Sequence, residues 1–201
     1  MKVRKLGFFG VPLIALAVLL PLSASAGGAR HVSWAIIHVS PLPLVSPLTF
    51  NPGGVASAQT PEGETITLTG SGTFVAPASR NGGSNAVTGG GTWTTSTGAS
   101  GTYVVKELVE WKFANMQAQP PVGPAVTDNT GNTLQRANGH AVLRIEFSDG
   151  ESGVLTVGCH GPGAPAGIFE GIATTKGYKT YYNVPAPLGT VDAGRTIFHV
   201  R

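Results

Sequence analysis

A glutamate within an aromatic strand is the first candidate for chemistry in this sequence. Alternate residues of the predicted strand 102–114 share one face, which comprises Tyr103, Val105, Glu107, Val109, Trp111 and Phe113. A carboxyl group among apolar side chains loses solvation, which raises its pKa toward the range useful for proton transfer near neutral pH. We therefore consider Glu107 a candidate general acid or base. The alternative is a structural glutamate at the rim of the sheet, or one hydrogen-bonded to a neighbouring strand.

Glu170 is the second candidate acid. It shares a face with Ile168 and Ile172 in a predicted strand, and it points inward if they do. The competing inward face consists of residues 169, 171 and 173, and it would leave Glu170 in solvent. If Glu107 and Glu170 both point inward, they could form a pair with one carboxyl group protonated and the other ionised.

Three aromatic residues are predicted to line a ligand site together with Glu107. These residues are Trp93, Tyr103 and Trp111. Aromatic side chains offer rigid apolar area with a polar handle, and sites of this kind hold small apolar molecules. A small hydrophobic or aromatic molecule is therefore the predicted partner, with Glu107 orienting its polar group. No cofactor is predicted.

His140, Cys159 and His160 are too few for a metal site. Zinc requires three or four ligands, and the two neighbours 159 and 160 point to opposite faces of a strand. We predict no metal. Cys159 is the single cysteine of the chain, and it is expected to be either buried and inert or a site of intermolecular pairing.

The elements that must position these residues are β-strands. Ile66, Leu68 and Phe74 alternate with hydroxyl residues, which is typical of a half-buried strand. Further strands are predicted at about 91–96, 102–114, 138–147, 153–159, 167–175, 178–183 and 195–200. No segment combines helical periodicity with caps. The pattern predicts an all-β fold, an antiparallel β-barrel, with a β-sandwich as the alternative.

The hairpin around Asp149 and Gly150 allows a prediction of register. A two-residue turn would mix the two faces, whereas a three- or five-residue connection keeps the apolar face intact. The second choice pairs Ile145 with Leu155, Leu143 with Val157 and Ala141 with Cys159. It also places His140 opposite His160 on the other face.

The N-terminal segment has the order of a secretory signal peptide. Residues 1–26 run from basic residues through an apolar stretch to small residues, so we predict cleavage after Ala26 and secretion. Prolines and glycines crowd the next segment. We therefore predict a loosely packed leader or linker at 27–62, with one short strand near Trp34, and a single all-β domain at 63–201.

The predicted mature chain has no net charge. The whole chain has 13 Lys and Arg against 10 Asp and Glu, and three of the basic residues lie within 1–26. Nucleic acid and anionic membrane are therefore not predicted as partners, because each requires a basic surface.

Three short strings resemble dirigent-like and allene-oxide-cyclase-like proteins. They are Gly-Ser-Gly-Thr-Phe at 70–74, Gly-Thr-Tyr-Val-Val at 101–105 and Gly-Val-Leu-Thr-Val at 153–157. The resemblance covers about residues 63–200. It implies an eight-stranded barrel that holds a hydrophobic small molecule and steers its cyclisation or coupling. No catalytic residue is carried over from that group.

Three functions remain open at this point. The leading hypothesis is a secreted barrel that binds a small hydrophobic or aromatic ligand in its interior. The second is an isomerase or cyclase that uses Glu107 as acid or base in the same cavity. The third is a structural or surface-interaction protein, since low charge and Thr-rich strand faces suit packing against other chains or polysaccharide, and a homo-oligomer is not excluded.

Overall fold

The computed structural model describes residues 30–41, 46–76, 84–184 and 194–201. Within these ranges the chain forms thirteen strands and one 3-10 turn, Thr133–Gln135, so the predicted all-β class is confirmed. The strands are β1 (Arg30–Ser40), β2 (Leu48–Pro52), β3 (Ala56–Gln59), β4 (Thr65–Leu68), β5 (Ser71–Ala76), β6 (Val87–Thr95), β7 (Ser100–Met116), β8 (Val126–Asp128), β9 (Arg136–Phe147), β10 (Ser152–Cys159), β11 (Gly171–Lys176), β12 (Lys179–Asn183) and β13 (Thr196–Val200). No described segment is a helix with the length and apolar character of a membrane span. The predicted signal peptide at 1–26 lies outside the described residues.

The strands form one large mixed sheet. Its ladders are antiparallel, except that β2 and β8 run parallel. Ladders join β7, β9, β10, β11, β12, β3, β4 and β6 in this order, and the ladder between β6 and β7 returns to the start. We call this closed series the ladder circuit. From β9 the sheet continues outward through β13, β1, β2 and β8, while β5 joins β1 to β6.

The alternation predicted for residues 65–74 is confirmed. Ile66, Leu68 and Phe74 are buried in the main core, and the hydroxyl residues between them lie toward the outer face. There the side-chain oxygens of Thr73 and Thr88 lie 2.8 Å apart across the β5–β6 ladder. Such cross-strand hydroxyl pairs stabilise a sheet face that carries little charge.

The chain between Leu68 and Ser71 divides this predicted strand into β4 and β5. A Cβ atom on Gly70 would lie 2.2 Å from the hydroxyl oxygen of Tyr103, so only glycine fits at the break. β4 pairs with β3 and β6, whereas β5 pairs with β1 and β6. The break therefore lets the chain change one of its strand partners.

The described part of the leader predicted at 27–62 is not loosely packed. Arg30–Ser40 forms β1, which pairs with β13, β2 and β5 and buries Trp34 and Ile36 in the main core. The prolines that suggested a leader begin only at Pro41, after the end of this strand. The alternating residues before them were therefore the more informative signal.

The β9–β10 hairpin keeps the predicted face but shifts the register by two residues. Leu155 pairs with Leu143 and Val157 pairs with Ala141, so the apolar face stays intact. The turn occupies residues 148–150 and is centred on Asp149, whereas the predicted pairing would centre it on Gly150. Gly150 takes the left-handed φ of +92°. As a result His140 lies opposite Gly158, and the predicted juxtaposition of His140 with His160 is wrong.

Irregularities in β7 overturn the predicted face of Glu107. The β7–β9 register shifts between Val105 and Glu107 and again between Leu108 and Glu110. Each extra residue inverts the alternation that follows it, so Leu108 rather than Glu107 points into the core. The Glu107 carboxylate instead accepts a hydrogen bond from Arg144 Nε at 2.8 Å on the outer face.

This geometry predicts very different sensitivities for two residues of the β7–β9 ladder. Leu143→Ala removes a fully buried side chain and should lower the free energy of unfolding by about 2–5 kcal/mol. Glu107→Gln removes an ion pair with a largely exposed arginine and should cost less than about 1 kcal/mol. Urea unfolding measures both changes. A loss for Glu107→Gln as large as that for Leu143→Ala would contradict the outer position of Glu107.

Candidate functional site

The aromatic residues predicted to line a ligand site are part of the packed core. Trp93 and Tyr103 are each 2% exposed and meet around Phe147, with ring centroids 5.7 and 6.3 Å from it. Trp111 lies elsewhere, 4.7 Å from the ring of Phe198. The structure thus brings two of the three together and does not bring Glu107 to either.

The polar atoms of Trp93 and Tyr103 are already satisfied within the protein. Trp93 Nε1 donates to the Thr102 carbonyl at 3.2 Å, and the Tyr103 hydroxyl donates to the Thr69 carbonyl at 2.8 Å. The hydrogens of both groups are therefore committed within the protein and are not free to orient a ligand.

Glu170 lines a pocket that could hold a small molecule. A pocket with a volume of about 130 Å³ lies among the end of β10, the residue before β11, the start of β13 and the β1–β2 side of the sheet. Its wall is apolar on one side and polar on the other. We call it the Glu170 pocket, and it is lined by Ile37, Val39, Leu48, Phe50, Gln117, Cys159, His160, Gly161, Pro162, Glu170, Arg195 and Thr196.

The carboxyl group of Glu170 is held by two backbone donors. The His160 N–H donates to Oε2 at 2.6 Å, and the Thr196 N–H donates to Oε1 at 2.7 Å. Burial raises the pKa of Glu170 to about 7, although these two hydrogen bonds act in the opposite direction. The group therefore populates both its acid and its carboxylate form near neutral pH.

The local chain explains why Glu170 takes this position. β11 begins one residue later, at Gly171, so the alternation predicted for a strand through 167–175 does not apply to Glu170. Gly171 has a left-handed φ of +106°, which redirects the chain as it enters the strand. Asn183 Nδ2 donates to the Glu170 carbonyl at 2.9 Å and so holds the backbone in place.

Cys159 lies beside Glu170 and is fully hydrogen-bonded. Its Sγ accepts a hydrogen bond from Gln117 Nε2 at 3.3 Å and donates to the Thr196 carbonyl at 3.3 Å. Burial raises the pKa of the thiol, and the neighbouring Glu170 raises it further. Since the thiolate is the reactive form, this cysteine serves as a hydrogen-bonding part of the pocket floor rather than as a nucleophile.

The Glu170 pocket also contains two buried polar atoms without a hydrogen-bond partner among the described residues. They are Oε1 of Gln117 and Nε of Arg195. A buried orphan group of this kind costs about 1–3 kcal/mol, and both atoms are shielded from the open space of the pocket.

A cluster of buried charges lies beneath Phe50, on the apolar side of the pocket. The Arg136 guanidinium is fully buried, 5.5 Å from the Phe50 ring centroid. Near it, Asp128 Oδ2 lies 2.8 Å from His199 Nε2. Burial alone would raise the pKa of Asp128, but hydrogen bonds from His199 and Thr130 bring it below its ordinary value. These groups fix the position of the β2–β8 edge.

His140 and His160 do not form a common site. The ring of His160 donates from Nδ1 to the Ile168 carbonyl at 2.6 Å, and the ring of His140 packs on Phe169 with centroids 4.9 Å apart. Across the described ranges, no three His, Cys, Asp or Glu side chains are arranged to hold a metal ion.

Sequence reasoning singled out Glu170, Cys159 and His160 but missed the rest of the pocket lining. Gln117 and Arg195 carry no local motif. The apolar wall comes from β1 and β2, within the segment predicted to be a leader. The alternation of Ile37 with Val39, and of Leu48 with Phe50, was the signal that could have revealed this wall.

Comparisons of the chain with protein families, curated proteins and solved structures found no match.

The raised pKa of Glu170 predicts a pH dependence of stability. The folded state holds this proton more tightly than the unfolded chain, whose glutamate has the ordinary value of 4.5. The stability that the protonated group contributes is therefore complete below about pH 4.5 and is lost as the pH rises through about 7. Glu170→Gln, which does not titrate, should show a smaller difference in the free energy of unfolding between pH 5 and pH 8.

Urea unfolding at the two pH values tests this expectation. Glu107→Gln is the matched control and should keep the wild-type pH dependence. An unchanged pH dependence in Glu170→Gln would mean that this carboxyl group titrates normally in the folded protein.

Proposed function

We propose that the protein binds a small apolar or aromatic molecule in the Glu170 pocket. The observation that carries this proposal is a wall of apolar side chains facing a single carboxyl group with a raised pKa. Apolar walls with a few convergent polar groups are the usual form of a small-molecule site.

The size of the pocket limits its occupant. A cavity of about 150 Å³ is sufficient for benzene, and the Glu170 pocket has about 130 Å³. The enclosed part of the ligand is therefore about one six-membered ring. Its binding is driven by removal of apolar area from water, worth about 25 cal/mol per Å².

The proposal includes a β-barrel formed by the ladder circuit. The closed series of ladders supports this interpretation. Leu143, Ile145 and Leu155 on strands of the ladder circuit are fully buried members of the main core, so we place the ligand site beside the barrel rather than within it. The same proposal includes secretion directed by residues 1–26. It also includes the resemblance to dirigent-like and allene-oxide-cyclase-like proteins.

A second candidate function is proton transfer to and from the bound molecule. The pKa of about 7 for Glu170 favours it, because such a carboxyl group can remove a proton as the base and return one as the acid. This is the chemistry of an isomerase or cyclase. The candidate acid–base residue is Glu170, since Glu107 is paired with Arg144 on the outer face.

Titration with toluene tests the binding proposal. Toluene should produce saturable NMR shifts of the backbone amides of Phe50, Gln117 and Glu170. Leu48→Phe adds bulk to the apolar wall and should abolish the shifts, whereas Val104→Phe, on an exposed position of β7, should not. Shifts confined to the surroundings of Trp93, or no saturable shift at all, would reject the Glu170 pocket as the binding site.

Hydrogen–deuterium exchange of cyclohexanone tests the proton-transfer function. The Glu170 carboxylate should take a proton from the carbon beside the carbonyl, and after exchange with D₂O it should return a deuteron. The protein-dependent rate should rise with pH and level off above about 7, where Glu170 is ionised. Glu170→Gln should lose this rate by about 10²-fold or more, the usual contribution of a general base.

Glu107→Gln is again the matched control and should exchange cyclohexanone at the wild-type rate. Equal rates for wild type and Glu170→Gln would remove Glu170 as the acid–base residue and leave the binding proposal intact.

A further inference from the structure

The β11–β12 hairpin presents two tyrosine rings to solvent. Tyr178 lies in the turn between the strands and is fully exposed, and Tyr182 on β12 is 58% exposed. Tyr181, its neighbour in the strand, is buried in the main core instead. The two exposed rings therefore add apolar area to the surface of this hairpin without packing into the core.

Two depressions that share part of their lining flank this turn. One has a volume of about 510 Å³ and the other of about 300 Å³. Both are lined by Glu64, Tyr178 and Lys179, so we treat them as one surface and call it the Tyr178 groove. Its lining also includes the threonines at 60, 95, 97 and 180, and it has no lining residue in common with the Glu170 pocket.

Hydrogen bonds fix the walls of the Tyr178 groove. Glu64 Oε1 accepts from the Tyr181 hydroxyl at 2.8 Å, and Oε2 accepts from Lys179 Nζ at 2.6 Å, so the β3–β4 loop is joined to β12. The N–H of Gly177 donates to the Ser152 carbonyl at 3.0 Å and anchors the turn between β11 and β12. A surface that is already ordered loses little conformational entropy when it binds a ligand.

The two lysines of the Tyr178 groove are already neutralised. Lys179 is paired with Glu64, and Lys176 is paired with Asp149 and Glu151. An anionic ligand would have to compete with these carboxylates for the ammonium groups. The groove is therefore suited to an uncharged ligand that forms hydrogen bonds through hydroxyl groups.

We infer that the Tyr178 groove binds a neutral oligosaccharide. One face of a pyranose ring consists of C–H bonds with a slight positive charge, and it stacks on the negative face of an aromatic ring such as Tyr178 or Tyr182. Glu62 lines the larger depression, is exposed and makes no ion pair or hydrogen bond within the described residues, so its carboxylate can accept from sugar hydroxyls. A space of about 150 Å³ is sufficient for benzene, so this depression has room for a sugar ring with its hydroxyl groups.

Cellohexaose, chitohexaose and mannohexaose are the neutral probes. At least one of them should produce saturable NMR shifts of the backbone amides of Tyr178, Thr180 and Tyr182. The anionic hexagalacturonate and the cationic peptide hexalysine are the charged comparisons. Each should bind at least 10-fold more weakly than the best neutral probe.

Tyr178→Ala and Tyr182→Ala test the stacking contacts. Each should raise the Kd of the best neutral probe by about 10-fold or more, because an aromatic contact and its buried area are lost. Tyr178→Phe keeps the ring and should bind within about twofold of wild type. Phe113→Ala is the matched control, since it removes an exposed aromatic ring on β7 outside the groove and should leave binding unchanged.

Three results would overturn the oligosaccharide site. The first is the absence of saturable shifts in the groove with all three neutral probes. The second is tighter binding of hexagalacturonate or hexalysine, which would point to a charged polymer or a basic peptide. The third is an unchanged Kd in Tyr178→Ala. Since the toluene titration reports on the Glu170 pocket, its outcome stands apart from all three.

Discussion

The buried carboxyl group of Glu170 constrains the place where three strands meet. It must be satisfied by donors from the protein, and the two that serve it are the N–H groups of His160 after β10 and Thr196 at the start of β13. Thr196 also accepts from the Cys159 thiol through its carbonyl, and its hydroxyl donates to the Gly158 carbonyl. Because a buried polar group without partners is costly, these bonds hold the end of β10, the entry to β11 and the start of β13 in one arrangement. The groups joined by these hydrogen bonds form much of the polar part of the pocket lining.

The other half of the pocket depends on a separate set of buried groups. Ile37, Val39, Phe50 and Ile197 form a small cluster distinct from the main core. Arg136 lies under Phe50 and donates from Nε to the Thr133 carbonyl at 3.2 Å. Asp128 accepts from the Thr130 hydroxyl at 2.6 Å and lies against His199. An apolar wall from β1 and β2 and a polar wall from the ends of β10 and β13 thus meet across one small space, which explains why a single pocket combines both characters.

The alternation of apolar and polar residues predicted the positions of strands well. It predicted less well which face of a long strand is buried. It predicted the burial of Ile66, Leu68 and Phe74 correctly, and it kept the apolar face of the β9–β10 hairpin although the register moved by two residues. It failed at Glu107, because irregularities in β7 invert the alternation and nothing in residues 103–113 marks them. It did not apply at Glu170, which lies just before a strand rather than within one. The prolines at 41–47 led to the prediction of a leader, although the alternation within β1 indicated a strand.

By itself the sequence determined the all-β class, the approximate position of most strands and the candidacy of Glu170, since these depend on residue types at neighbouring positions. Which glutamate has its carboxyl group enclosed, and what surrounds it, was decided only by the tertiary structure. The residues that complete the site lie at 37–50, 117, 159–162 and 195–196, so they meet only when strands distant in the chain pair with one another. The physical reason is that desolvation and hydrogen-bond satisfaction depend on all the groups packed around a side chain, and strand pairing brings most of those groups from elsewhere in the chain.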